Sequence, residues 1–488
     1  MSKHHNLLIS AATIVFAIMI LPIVGFGQYL AAEIMLDEQK RTAVVEGRFS
    51  DPKSRKNFSF AGAVIGLPDP AARISELVLF DEQGKRLASR RFASNEYVAE
   101  NGISAFSYRI DLRPGADARS AAHASWLGAD MGVLMLDDVL PLPTVNEDPQ
   151  ASIAFKIPAS WKIVSSDAGR GEGIYAVNNV SRAVFIAGKD LRENTGTPAV
   201  AIGGSWHFTD VEAGGFVSNI YAEYKRIFGG EPATMPTVAL IPFPQANVPP
   251  GTWEAETRGS TVLLLSADTA FKGQSLQRLH EQLRHELFHL WLPNGVNLAG
   301  RYDWFYEGFA LYQSLKTAVA MNQIGFDDFL DTLSRARNID SSQTRRRSLL
   351  ELSQNRLAGG ETHLYARGMV AAFLCDLAIL QASNRKDSVE SVFRKLFDSH
   401  KFTAAAVDGK EVVLKALARY PATDPVVNDL VRGDKTINWS VLITAAGLED
   451  EASGISRSRL RIKQKPDGRQ RALLDKLGYN SWRKLTRK

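Results

Sequence analysis

One helix is dictated by the spacing of residues 274–292. Leu276, Leu279, Leu283, Leu287 and Leu290 recur at intervals of three and four. That is the period of a helix with one buried face. In the same segment, "LRHELFHLWLPN" (283–294) sets His285 and His289 four apart. On a helix they lie about 400° apart and point the same way, one turn from each other. They fall roughly 140° from the leucine stripe, so the leucines can bury while the imidazoles face a cleft. Two imidazoles at this spacing can grip one tetrahedral zinc ion. Glu286, beside the first, is placed to take a proton from water that the metal activates. The bland alternative is a satisfied buried histidine pair, which would more naturally share the apolar side.

A catalytic zinc needs three protein ligands and an open fourth position. The third candidate lies in "WFYEGFALY", where Glu307 follows His289 after 17 intervening residues. A second helix reached through a short loop would return antiparallel and bring Glu307 to the histidines. Taken alone, Glu307 would be an acid near a helix start, favoured by the helix dipole.

At 488 residues the chain has room for two or three domains. Residues 40 to about 200 read as strands. In "SYRIDLRP", Tyr108, Ile110 and Leu112 alternate with charged neighbours, and "ISELVLFDEQGKRLASRRF" reads as a hairpin turning near Gly84. Two more strands are expected at 236–244 and 260–268. Helical character begins at Gln274, with helices at 274–292, 303–322, 325–336, 363–382 and 387–398. The polar stretch 336–347 reads as a surface loop. Cys375 is the single cysteine, so no intrachain disulfide forms.

The ends of the chain differ from its body. Residues 7–27 carry no charge over 21 positions, a length that spans about 31 Å as a helix. We read them as an uncleaved signal anchor in preference to a cleaved signal, with Lys3 cytoplasmic and everything after Gln28 on the outer, periplasmic or extracytoplasmic side. From Arg457 to Lys488 there are twelve Lys or Arg and two acids, a net of +10. The whole chain carries only +5, so the other 456 residues sum to 5 − 10 = −5. Such a tail is commonly solvated, and beside an anchor it suits anionic lipid better than nucleic acid, which is not an expected partner.

His-Glu-x-x-His followed by Glu-Gly on a second helix resembles the gluzincin metallopeptidases. "DWFYEGFALY" is similar to the W-x-x-E-G-F signature of the alanyl- and glycyl-aminopeptidase families, and "DPVVNDLVRGDKTINWSVLITAAGLE" resembles the closing helical segment of the glycyl family. The resemblance covers about 150 to 450. It implies Zn2+ on His285, His289 and Glu307, with Glu286 as general base and a peptide or protein as substrate. "HLYARGMVAAFLCDLAI" resembles the Tyr-x-Lys-Gly segment, which implies Tyr365 as oxyanion donor. Arg367 stands where lysine is frequent, and His363 is the alternative donor. "PPGTWEAE" resembles Gly-x-Met-Glu-Asn with Trp253 and Ala255 substituted, which implies that Glu254 holds the substrate's α-ammonium group.

The expectation is therefore an α+β, membrane-anchored zinc aminopeptidase. A zinc endopeptidase on the same site, or a catalytically silent peptide-binding relative, is the alternative. Its parts are an anchor or signal segment (1–33), a β-rich domain (34–200), a thermolysin-like catalytic domain (201–400), a helical extension (401–455) and a basic tail (456–488).

Overall fold

A computed structural model of the chain describes residues 30–50, 55–142, 150–171, 173–194, 196–267, 269–356, 360–401, 405–452 and 458–479. The apolar run 7–27, read above as an anchor, lies outside them. Among the described residues one helix, Glu361–Ala382, is long and apolar enough to cross a membrane, and it is buried inside the fold.

Alternating residues build the first half into sheets. In Ala105–Asp111, Phe106, Tyr108 and Ile110 are buried while their neighbours are half-buried. This strand pairs antiparallel with Thr42–Phe49 and with Ile74–Phe80. It belongs to a seven-stranded sheet whose one parallel pair joins Leu30–Asp37 to Ala151–Lys156. The chain turns near Gly84, whose N–H bonds Asp81 O. A second sheet of four strands includes Met131–Met135 and Val184–Gly188. Its outer residues Val133, Met135, Val184 and Ile186 pack on Ala239, Ile241, Leu263 and Leu265 of the next sheet.

That next sheet positions the site. Its strand order is Arg192–Asn194, Ala199–Ile202, Thr237–Pro242, Thr261–Ser266 and Trp253–Arg258. The last is an edge strand, antiparallel to its neighbour. Its residues alternate between two faces. Trp253, Ala255 and Thr257 share the helix side, and Glu254, Glu256 and Arg258 the side toward the N-terminal sheets.

Five helices matter below: α1 (Asp210–Phe228), α2 (Lys272–His289), α3 (Asp303–Ala320), α4 (Phe326–Ser341) and α5 (Glu361–Ala382). Helix α1 was not anticipated, because helical character was assigned only from Gln274. Gly214 and Gly215 weaken its pattern by about 1 kcal/mol each relative to alanine. A Thr209–Glu212 capping box starts it, and Val217, Ile220, Tyr224 and Phe228 bury against α2. Tertiary burial outweighs propensity here.

The stretch 336–347 is another correction, since α4 runs on to Ser341 instead of breaking into a loop. The reason is Asp340, fully buried and paired with Arg367 of α5 at 3.0 Å. Arg367 also donates to the carbonyls of Leu430, Asp429, Gly433 and Lys435. It ties α5 to two other segments and has no contact with the histidines.

Helices α3 and α5 cross where two glycines meet. A Cβ on Gly308 would lie 2.5 Å from the backbone of Gly368, and one on Gly368 would lie 2.9 Å from Gly308 Cα. No side chain fits there, so the two backbones touch. Within the basic tail, Ser458–Ile462 pairs with Leu448–Ala452, and Arg459 bonds Asp331 of α4.

Candidate active site

Helix α2 delivers His285, Glu286 and His289, and α3 delivers Glu307. The structure brings the two histidines and Glu307 together, with one ligand atom from each lying within 4.8 Å of the others. Nε2 of His285 and Nε2 of His289 are 3.2 Å apart. Glu307 Oε2 lies 3.3 Å from the first and 3.6 Å from the second. Leu279, Leu283 and Leu287 bury into the core on the other side of α2. The histidine face is enclosed as well, with His289 only 6% exposed.

The surroundings fix these groups. His289 Nδ1 meets Leu292 O at 3.0 Å, which directs its Nε2 at the cluster. Burial works against a charge on His289, but the Glu307 carboxylate overrides it and raises the imidazole to about 9 in the metal-free cluster. Burial likewise opposes charge on Glu307, yet Arg356 and then His289 hold its carboxyl well below the usual range. Glu286 Oε2 accepts from Thr257 Oγ1 at 2.7 Å, and its Oε1 lies 4.0 Å from His285 Nε2.

Tyr365, on α5, reaches the cluster through an intermediary. Arg356 Nη1 is 2.9 Å from Glu307 Oε1, and Arg356 Nη2 donates to the Tyr365 hydroxyl at 2.8 Å. That hydroxyl donates to Glu361 Oε1 at 2.9 Å. Burial, then the Glu307 charge, pushes the phenol pKa far up, so it keeps its proton. His363 lies on the same helix with its Nδ1 buried and unbonded. It makes none of the ion pairs that join Glu307 to the other groups.

Glu254 is not brought into contact with the three clustered residues. It sits on the edge strand, on the face opposite Thr257, within the field of His123, Arg119 and Glu361. Burial raises its carboxyl, and His123 and Arg119 pull it back. Its neighbour on that face, Glu256, pairs with His123 Nδ1 at 3.1 Å. Sequence reasoning missed Thr257, Glu256, His123 and Arg356. Glu256 carried a signal, since it follows Glu254 by two and must share its face on a strand. Arg356 carried none.

No family model and no curated protein sequence matches the chain. Solved structures do. An aminopeptidase N family protein from Idiomarina loihiensis superposes with a TM-score of 0.72 at 15% identity, covering 86% of this chain and 79% of that one. The fold is that of the M1 zinc metallopeptidases. A variant M1 zinc metallopeptidase from Deinococcus radiodurans, bound to a Tyr-Ser-Ala substrate, aligns with a TM-score of 0.55 at 15% identity over 84% of this chain and 94% of that one. A two-domain M1 variant bound to L-arginine aligns at 0.52 and 14% identity, over 84% and 95% of the two chains. The gluzincin resemblance read from the motifs thus has a counterpart in the whole architecture, β-rich first and helical after.

Proposed function

We propose that this chain is a zinc metallopeptidase that cuts peptides at their amino end. The observation that carries the reading is the convergence of His285, His289 and Glu307, with Glu286 held beside them by Thr257. The donor set fits zinc. Donors about 2.0–2.1 Å from a tetrahedral zinc lie about 3.3 Å from each other, and the three separations here are 3.2, 3.3 and 3.6 Å. The Leu292 carbonyl behind His289 is the kind of outer partner that zinc-binding imidazoles use.

Bound zinc supplies a Lewis acid that acidifies water near neutral pH and polarises a carbonyl. Glu286 does the proton work. Thr257 engages one of its oxygens, which leaves the other to take the proton of the attacking water and pass it to the leaving amine. Tyr365, kept protonated by burial and the Glu307 charge, donates to the carbonyl oxygen as charge develops there. To do so its hydroxyl exchanges Glu361 for the substrate as acceptor. Glu254 and Glu256, on the strand face toward the N-terminal sheets, offer carboxylates to a free α-ammonium. The Tyr-Ser-Ala complex of the Deinococcus neighbour is in keeping with a peptide substrate.

The test is Glu286→Gln. It should keep about one zinc per chain and lose roughly 10²–10⁴-fold in turnover. Stoichiometric zinc in a His285→Ala/His289→Ala double variant would refute the site. Peptides with a free amino terminus should be cut in preference to acetylated ones, and Glu254→Ala should erode that preference without releasing zinc. Equal cleavage of both at internal bonds would instead make the enzyme an endopeptidase. We also propose that residues 7–27 anchor the chain with the site outside the cytoplasm. Deleting 1–28 should then release the protein from membranes, and a full-length protein found soluble would refute it.

A further inference from the structure

We infer that Arg356 is a positioning residue that locks Glu307 to one oxygen and ties it mechanically to Tyr365. The inference rests on the metallopeptidase reading. Every nitrogen of this guanidinium is engaged. Nη1 meets Glu307 Oε1 at 2.9 Å and Asp303 Oδ1 at 3.3 Å, Nη2 donates to the Tyr365 hydroxyl at 2.8 Å, and Nε meets Glu361 Oε1 at 3.4 Å. Its side chain is only 19% exposed.

Two consequences follow from this geometry. Glu307 has its Oε1 taken by Arg356, so only Oε2 faces the histidines, at 3.3 and 3.6 Å. Arg356 therefore sets Glu307 to bind a metal through a single oxygen and preserves the open position that catalysis needs. Second, the same planar fork spans from α3 to α5, so the distance from Glu307 to the Tyr365 hydroxyl is set by one rigid group. Lysine carries the same charge on a single nitrogen and cannot bridge these partners in fixed geometry. The fork, and not the charge, is what the site uses.

The experiment substitutes cobalt for zinc in the full chain and reads its d–d absorption, which responds to the number and arrangement of ligands. Arg356→Met and Arg356→Lys should each bind about one cobalt with bands shifted from wild type, because Glu307 is free to turn its second oxygen inward. Both should lose tenfold or more in kcat with KM within about threefold, the size of effect that small misplacements produce. Tyr365→Phe should lower kcat with its bands unchanged. Melting curves check folding, and if the Met variant does not fold, the Lys variant, which keeps the charge, carries the test. Wild-type bands or wild-type kcat in the Lys variant would overturn the inference. A wild type that binds neither zinc nor cobalt removes the metallopeptidase reading and this inference with it. A metal-loaded wild type with unchanged variants removes this inference alone.

Discussion

Two arginines only eleven positions apart, Arg356 and Arg367, both meet buried carboxylates, and their surroundings differ in kind. Arg367 and its carboxylate partner Asp340 are both fully buried, and the guanidinium also meets four backbone carbonyls. Asp340 also lies 4.0 Å from Arg346 and accepts from Gln343 Nε2 at 3.2 Å, so the single carboxylate there is fully matched by positive charge. Arg356 faces three carboxylates, from Glu307, Asp303 and Glu361, with Glu286 close by on α2. That region is short of positive charge, and it is the one beside two convergent imidazoles. A balanced pair is a structural rivet, whereas an unbalanced cluster with aligned donors has room for a cation.

The largest expected effect tests the rivet. Arg367→Leu leaves the buried Asp340 carboxylate with only Arg346 at 4.0 Å and Gln343, and should cost about 3 kcal/mol in denaturant unfolding. A loss under about 1 kcal/mol would break the contrast. Zinc tests the other side. At a hundred times its Kd, zinc should stabilise the wild type by about 2.7 kcal/mol and leave Glu307→Ala unmoved. In metal-free protein, Glu307→Ala should cost clearly less than Arg367→Leu, since Arg356 keeps Asp303 and Glu361 as partners. A collapse as deep as that of Arg367→Leu would show that the cluster is structural after all.

The mildest test uses a third kind of pair, a cation beside a neutral ring. His280 on α2 is buried against Arg284, and burial followed by that charge lowers its pKa to about 4. An unfolded histidine titrates near ~6.5. Below that value the unfolded chain binds a proton that the folded chain refuses. Stability held above pH ~6.5 should therefore drain away as the pH falls toward about 4. The thermal midpoint should drop between pH 7 and 4.5, and less steeply in His280→Gln.

These contrasts also mark what the sequence could disclose. The two histidines and Glu286 were legible because helical spacing alone places them together. Glu307 was legible because it rides on the next helix after a short connection. Arg356 lies 49 positions beyond Glu307, on a turn between helices, and only the packing of α3 against α5 brings them together. Thr257 and Glu256 were missed because the edge strand was not recognised, although Trp253 and Ala255 alternate there with Glu254, Glu256 and Arg258. Asp340 looked like a loop residue because a lone acid among Asn, Ser and Gln reads as solvated until its partner is known. The strand at Ser458–Ile462 hid for a similar reason, since Arg459 and Arg461 surround the single buried Leu460.

The glycine contact between α3 and α5 bears on how such a chain can change over time. Gly308 follows Glu307, and Gly368 stands three positions after Tyr365. A methyl group at either would wedge the helices apart and draw the phenol away from the carboxylate, and no compensating change at the other is available, since the other is already glycine. Neither position can therefore take a side chain, singly or together, without moving the two helices. For a fold shared with solved structures at 15% identity, a Glu-Gly on one helix and a Gly three places after a Tyr on another form a fingerprint by which still more distant relatives can be sought.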